Sequence, residues 1–185
     1  GITGIMKKCN LHICKGIFLV LFMTFLCSSM AQNVRINEFM ALNQSTVADE
    51  DGDFSDWIEL YNPTSSSVNL QSWSLTDDAT MPSKWQFPNV TINAREYLVV
   101  FASSKDRKST GSVLHTNFNL SGSGEYLALM NGAGTVVSEF SPAFPPQQTG
   151  FSYGFYNNAY VEFSTPTPGA ENSTSAGMIL PAPAF

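Results

Sequence analysis

From Val34 onward the chain falls into short stretches rich in β-branched and aromatic residues, each closed by Gly, Asn, Asp, Ser or Pro, and none continues into a helical period. The pattern predicts an all-β protein. Candidate strands are VRINEFMA (34–41), DWIELYN (56–62), SWSLTD (72–77), SKWQF (83–87), EYLVVFA (96–102), LHTNF (114–118), EYLALMN (125–131), TVVSEF (135–140) and an aromatic pair around FSYGFY and AYVEF. Asn131-Gly132-Ala133-Gly134 links two of them, and Asn and Gly tolerate the positive φ that a tight hairpin demands. Nine to ten short strands without helices predict a sandwich of two sheets, since each sheet must hide one face. Trp57, Trp73 and Trp85 are expected in the core or at its edge.

The first thirty or so residues follow different rules. Met6 reads as the true start, Lys7, Lys8 and Lys15 as a positive leader region, Ile17 to Leu26 as an almost wholly apolar run, and Ser29-Met30-Ala31 as a cleavage site. A bilayer crossing takes roughly 20 apolar residues, so a secretory signal is favoured over an anchor. Lipidation at Cys27 is disfavoured because bulky Leu26 precedes it, and residues 1–5 read as an artefact of gene prediction. The expected organisation is a signal peptide over 1–31, one β-sandwich over 32–172, and a linker over 173–185. That linker is rich in Asn, Ser, Thr, Ala, Gly and Pro, and Pro181 to Phe185 resembles the opening of a further domain, which suggests a monomeric unit of a longer chain. The implied location is secreted or cell-surface, with no transmembrane span in the mature chain.

All three cysteines lie in the leader, so no disulfide staples the exported part. It needs none, because a domain of about 150 residues buries roughly two thirds of its unfolded surface. Loss of three leader lysines takes the formal charge from -6 to -9, with fifteen acidic residues against six basic ones. That balance argues against a nucleic-acid partner.

Gly150-Phe151-Ser152-Tyr153-Gly154 matches G-x-S-x-G, but no helix is predicted after it and no histidine follows Ser152, so it reads as a strand with glycines at bends. His115 is the one histidine of the exported part; zinc sites take several His or Cys ligands, so a structural role is favoured. Glu38, Glu59, Glu125, Glu139 and Glu162 in predicted strands offer pairs for carboxylate-dependent hydrolysis. Acids alternating with apolar residues are, however, the pattern of a solvent-facing strand side. No catalytic residue is assigned.

DEDGDFSDWIELYNP (49–63) crowds Asp49, Glu50, Asp51, Asp53 and Asp56 ahead of a strand. Each like-charge pair at about 6 Å in water costs roughly 0.7 kcal/mol, which a divalent cation relieves. Asp49, Asp51, Asp53 and Asp56 are therefore candidate calcium ligands, Ca2+ being the one cofactor considered. The stretch is no EF-hand: Gly52 sits where that loop wants its glycine at 54, and Leu60 replaces the closing glutamate. A solvated hairpin tip is the competing reading. Between Phe140 and Phe163, Phe151, Tyr153, Phe155, Tyr156 and Tyr160 are candidate ligand-contact aromatics.

The succession INEFMALN, DEDGDFSDWIELYNP, VNLQSWSLTDD, KWQFP, EYLVVFAS, LHTNFNLSGSGEYLAL and STPTPGAEN resembles the lamin-tail domain in its exported bacterial form, over residues 33 to 172. The resemblance implies an immunoglobulin-like β-sandwich and carries no catalytic residues. The leader and the acidic surface argue against transferring filament assembly or chromatin binding. The expected function is a non-enzymatic secreted or cell-surface module for adhesion, protein interaction or targeting, with a protein or glycan partner. A carbohydrate-binding module attached to a surface-acting enzyme is the alternative.

Overall fold

The structure, a computed structural model, describes residues 33–173 and the short strand Met178–Ile179. The expected leader and most of the expected linker lie outside the described residues. The described chain is all-β: β1 (Arg35–Met40), β2 (Asp56–Tyr61), β3 (Val68–Asn69), β4 (Ser74–Thr76), β5 (Trp85–Gln86), β6 (Thr91–Ile92), β7 (Tyr97–Ala102), β8 (Leu114–His115), β9 (Leu127–Met130), β10 (Val136–Phe140), β11 (Ser152–Tyr156), β12 (Ala159–Phe163) and β13 (Met178–Ile179). A seven-stranded sheet runs β13-β12-β11-β1-β2-β7-β8, a four-stranded sheet runs β10-β9-β4-β5, and β3 pairs with β6 alone. This is an immunoglobulin-like β-sandwich. All pairings are antiparallel except β7 with β8. β13 pairs Met178 with Phe163 and Ile179 with Glu162, inside the segment expected as a linker.

The core follows the period-2 rule of strands. Ile58 and Leu60 on β2 and Val100 on β7 face Leu75, Trp85, Leu127 and Leu129 of the smaller sheet, all fully buried. Burying each such side chain contributes about 1.5–3 kcal/mol. Phe39 adds an aromatic contact, its ring centroid 4.7 Å from Phe144 and 5.2 Å from Phe140. Trp57 and Trp85 are fully buried and Trp73 packs against the core while partly exposed. The Asn131 turn closes the β9–β10 hairpin as predicted, with Asn131 Oδ1 accepting from Ala133 N at 3.0 Å and Thr135 N at 2.9 Å.

A bulge in β1 determines what the rest of the large sheet carries. Its register with β2 shifts between Ile36 and Glu38, so Ile36 and Phe39 both join the core while Asn37 and Glu38 share the opposite face. On that outer face three rows of cross-strand neighbours follow one another. Met40, Trp57 and Phe101 form a small apolar cluster, Glu38 pairs with Glu59, and Arg35, Tyr61 and Tyr97 lie in register at the far end.

Candidate functional site

The middle row corrects an expectation. Glu38 and Glu59 are not on a wetted strand side: both are fully buried. The cover is the segment after β12. Glu38 accepts hydrogen bonds from Ser152 Oγ, from Thr167 N at 3.0 Å and from Thr167 Oγ1 at 2.8 Å. Glu59 accepts from Asn37 Nδ2 at 2.8 Å and from Gly169 N. Asn172, buried beside them, donates through Nδ2 to Asn37 O at 3.1 Å and Phe155 O at 3.0 Å, and its Oδ1 accepts from Thr167 Oγ1 at 2.9 Å. A Cβ at Gly154 would lie 2.6 Å from Asn172 Nδ2, so glycine there is what lets the segment seat. Burial pushes the Glu59 carboxyl up to about 8 against the pull of Gly169 N and Asn37, with Glu38 adding like charge; Glu38 is raised for the same first reason. Ser152 of the G-x-S-x-G match is a fully buried strand residue spent on this network.

At the apolar end, the 49–53 turn folds round a lysine. Lys105 Nζ lies 2.6 Å from Asp49 Oδ2, 2.7 Å from Asp51 Oδ2 and 2.8 Å from Asp53 Oδ2. Arg107 reaches Glu50 at 2.6 Å and Asp51 at 2.7 Å. Gly52, at φ 85°, makes the turn, and Asp49 Oδ1 accepts from Asp51 N and Asp53 N at 3.0 Å each. Burial opposes ionisation of Asp49, but Lys105, Ser55 and those backbone groups win and hold it at about 2. Carboxylate oxygens of Asp49, Asp51 and Asp53 all lie within 4.8 Å of one another. Asp56, the fourth candidate ligand, is not in this trio: its Oδ2 accepts from Leu120 N at 3.2 Å, and burial pushes it up to about 6.

His115 is fully buried under this turn, its ring stacked on Phe101 at 5.4 Å. Its Nδ1 is 2.7 Å from Ser103 Oγ and its Nε2 2.9 Å from Glu50 Oε2, a serine, histidine and acid in one chain that sequence reasoning did not assemble. The Ser103 hydroxyl also accepts from Lys105 N at 3.3 Å, a local turn bond that ties the serine to the segment carrying Lys105. We read the chain as a strut between β8 and the acidic turn. A mainly apolar cleft of about 710 Å³ lies alongside, walled by Val47, Pro88, Val99, Phe101 and Val113.

At the other end of the sheet a polar groove of about 620 Å³ opens. Tyr61 and Tyr97 stack at 4.6 Å on one side, and Phe155, Tyr156 and the Asn157-Asn158 turn form the other. The Arg35 guanidinium lies between, 4.2 Å from the Phe155 ring centroid and 4.8 Å from that of Tyr61. Burial lowers its affinity for the proton, and burial with the neighbouring Tyr61 hydroxyl pushes Tyr97 up to about 12. Of the candidate aromatics only Phe155 and Tyr156 line this groove. Tyr153 and Tyr160 pack against the core, Tyr160 Oη donating to Ile36 O at 2.6 Å, and Phe151 is half-buried elsewhere. Tyr61, Tyr97, Arg35 and Arg95 were missed: the first three sit on strands, where period-2 alternation was the signal that put them on the far face, and Arg95 sits on the turn before β7.

Two facing sheets define the class: an immunoglobulin-like module of a kind that fits protein interaction. A model of the Lamin Tail Domain family matches residues 28–143, and the chain belongs to that family, whose members are generally non-enzymatic. No curated protein matches the chain in sequence. The family match ends before β11, β12 and the 167–172 segment, which the buried glutamates nevertheless bind into the domain. Among the described residues no helix is long and apolar enough to cross a membrane.

Proposed function

We propose that this chain is an exported, non-enzymatic module that holds a partner at the cell surface, serving adhesion, protein interaction or targeting within a larger extracellular protein. The observation that carries the reading is the open groove at one end of the large sheet, lined by four half-buried aromatic rings and the guanidinium groups of Arg35 and Arg95. Aromatic and arginine side chains are the groups that dominate binding surfaces. The acids, by contrast, are engaged in the fold: Glu38 and Glu59 are covered by Thr167 and Gly169, and the acidic turn is ion-paired with Lys105 and Arg107. That engagement supports the non-enzymatic reading over a carboxylate-dependent hydrolase.

The test is cosedimentation of the exported protein with a cell-envelope fraction. Changing Tyr97→Ala together with Phe155→Ala is expected to abolish it while leaving the melting transition two-state; undiminished binding sinks the reading. A carbohydrate-binding module is the second reading, favoured by the pairing of ring faces with the amides of Asn157 and Asn158. Calcium at Asp49, Asp51 and Asp53 is a competition for oxygens that the Lys105 ammonium already engages. Melting in calcium against chelator decides it.

A further inference from the structure

The charges round the groove are not those of the rest of the protein. Six cationic side chains fall among the described residues, Arg35, Lys84, Arg95, Lys105, Arg107 and Lys108. Four are ion-paired: Lys84 with Asp77 at 2.6 Å, Lys108 with Asp106 at 2.9 Å, and Lys105 and Arg107 with the acidic turn. Arg35 and Arg95 alone have no ion pair among the described residues, and both line the groove. In a chain of net charge -6, with acids available everywhere, the two unneutralised guanidinium groups converge on one place. Arg35 spends a single hydrogen bond on Asn37 Oδ1, at 3.2 Å, and its Nε is buried with no partner. Arg95 is exposed, carried at φ 64° on the turn that leads into β7.

Resting on the reading of this groove as the holding surface, we propose that its ligand is an acidic saccharide whose uronate carboxylate is taken by Arg95 and Arg35 while its ring packs on Tyr97 and Phe155. A guanidinium fork matches a carboxylate in two parallel hydrogen bonds, which supplies the partner each arginine lacks. Flat aromatic faces bury the apolar side of a sugar ring, and the amides of Asn157 and Asn158 on the rim offer donors and acceptors for hydroxyls. The size falls in the range of about 300–1,000 Å³ usual for small-ligand sites. Glu171 lines the same groove and adds one negative charge to its wall. It disfavours densely charged polyphosphate and leaves room for one carboxylate per sugar.

The experiment is titration calorimetry of the exported protein with trigalacturonate, triglucuronate and trimannuronate, each beside its methyl ester. At least one acid form is expected to bind, with the ester at least tenfold weaker. Arg95→Gln should weaken the acid form about tenfold and Glu171→Gln should tighten it severalfold, with melting temperatures unchanged because both residues are exposed. Equal binding of acid and ester, or an unaffected Arg95→Gln, overturns the uronate assignment while leaving a neutral-sugar groove. Absence of binding to all three acids overturns it too. Envelope binding that still depends on Tyr97 would then preserve the holding function by itself.

Discussion

Two groups of carboxylates on this protein invert what their surroundings in the sequence suggest. Residues 49–53 hold four acids in five positions, yet these are the comfortable ones, because Lys105 and Arg107 supply cations and the turn supplies backbone donors. Glu38 and Glu59, set among apolar strand residues, are the stressed ones, fully buried with only neutral hydrogen-bond donors round them. Acid density along a chain therefore says little about ionisation. Depth and the nature of the partner decide it. Asp49 is held down at about 2 and Glu59 is pushed up to about 8, so the two regions respond to pH with opposite sign.

The largest expected effect comes from removing the buried acceptor. Glu38→Ala strands two donors, Ser152 Oγ and Thr167 N, while Thr167 Oγ1 keeps Asn172, and should cost about 3 kcal/mol in a urea melt. Next is the pH profile. In the unfolded chain Glu59 ionises near 4.5 and in the folded chain near 8, so between those values the folded state holds the extra proton. Its contribution to stability is complete below pH 4.5 and fades as pH rises through 8, on the order of a few kcal/mol. Asp49 contributes in the other sense, fully above its ordinary 3.8 and lost as pH falls through 2. Tm should thus peak in mildly acidic buffer and decline toward pH 8, and Glu59→Gln should flatten the alkaline decline; a decline unchanged in that variant would contradict the assignment.

Gly154→Ala sets a methyl against Asn172 and should cost about 1–3 kcal/mol, with faster proteolysis after Phe163 as the sign that the covering segment has lifted. Smallest is the ion-paired turn. Lys105→Met should lower Tm by less than Glu38→Ala does, and the part of the loss that comes from the exposed Asp51 and Asp53 should shrink as salt rises, while the part from buried Asp49 should not. In that variant calcium should raise Tm, because three carboxylates lose their ammonium.

Much of the sandwich was legible because alternation and turn residues are local. The strands around Ile58, Val100 and Leu129 and the Asn131 hairpin fall where the pattern put them. The bulge at Asn37 was not legible, since one inserted residue leaves the composition of β1 unchanged while moving Glu38 to another face. Nor was the covering segment: Thr167, Gly169 and Asn172 look like ordinary turn residues until the two glutamates come within reach of them, more than a hundred positions away from Thr167. Of the aromatics singled out, Phe155 and Tyr156 reached the groove, while the residues that complete it came from β1, β2, β7, the turn before β7, the β11–β12 turn and the covering segment.

The sequence by itself determined the all-β architecture, the lack of any cysteine after Cys27 and the acidic balance, because strand periodicity, cysteine placement and charge are properties of neighbours along the chain or of simple counts. Only the tertiary structure decided which acids are buried, which cations are left without partners and where they meet. Those depend on which strands become neighbours, and pairings such as Arg35 with Tyr61 and Tyr61 with Tyr97 are set by sheet register across long stretches of intervening chain.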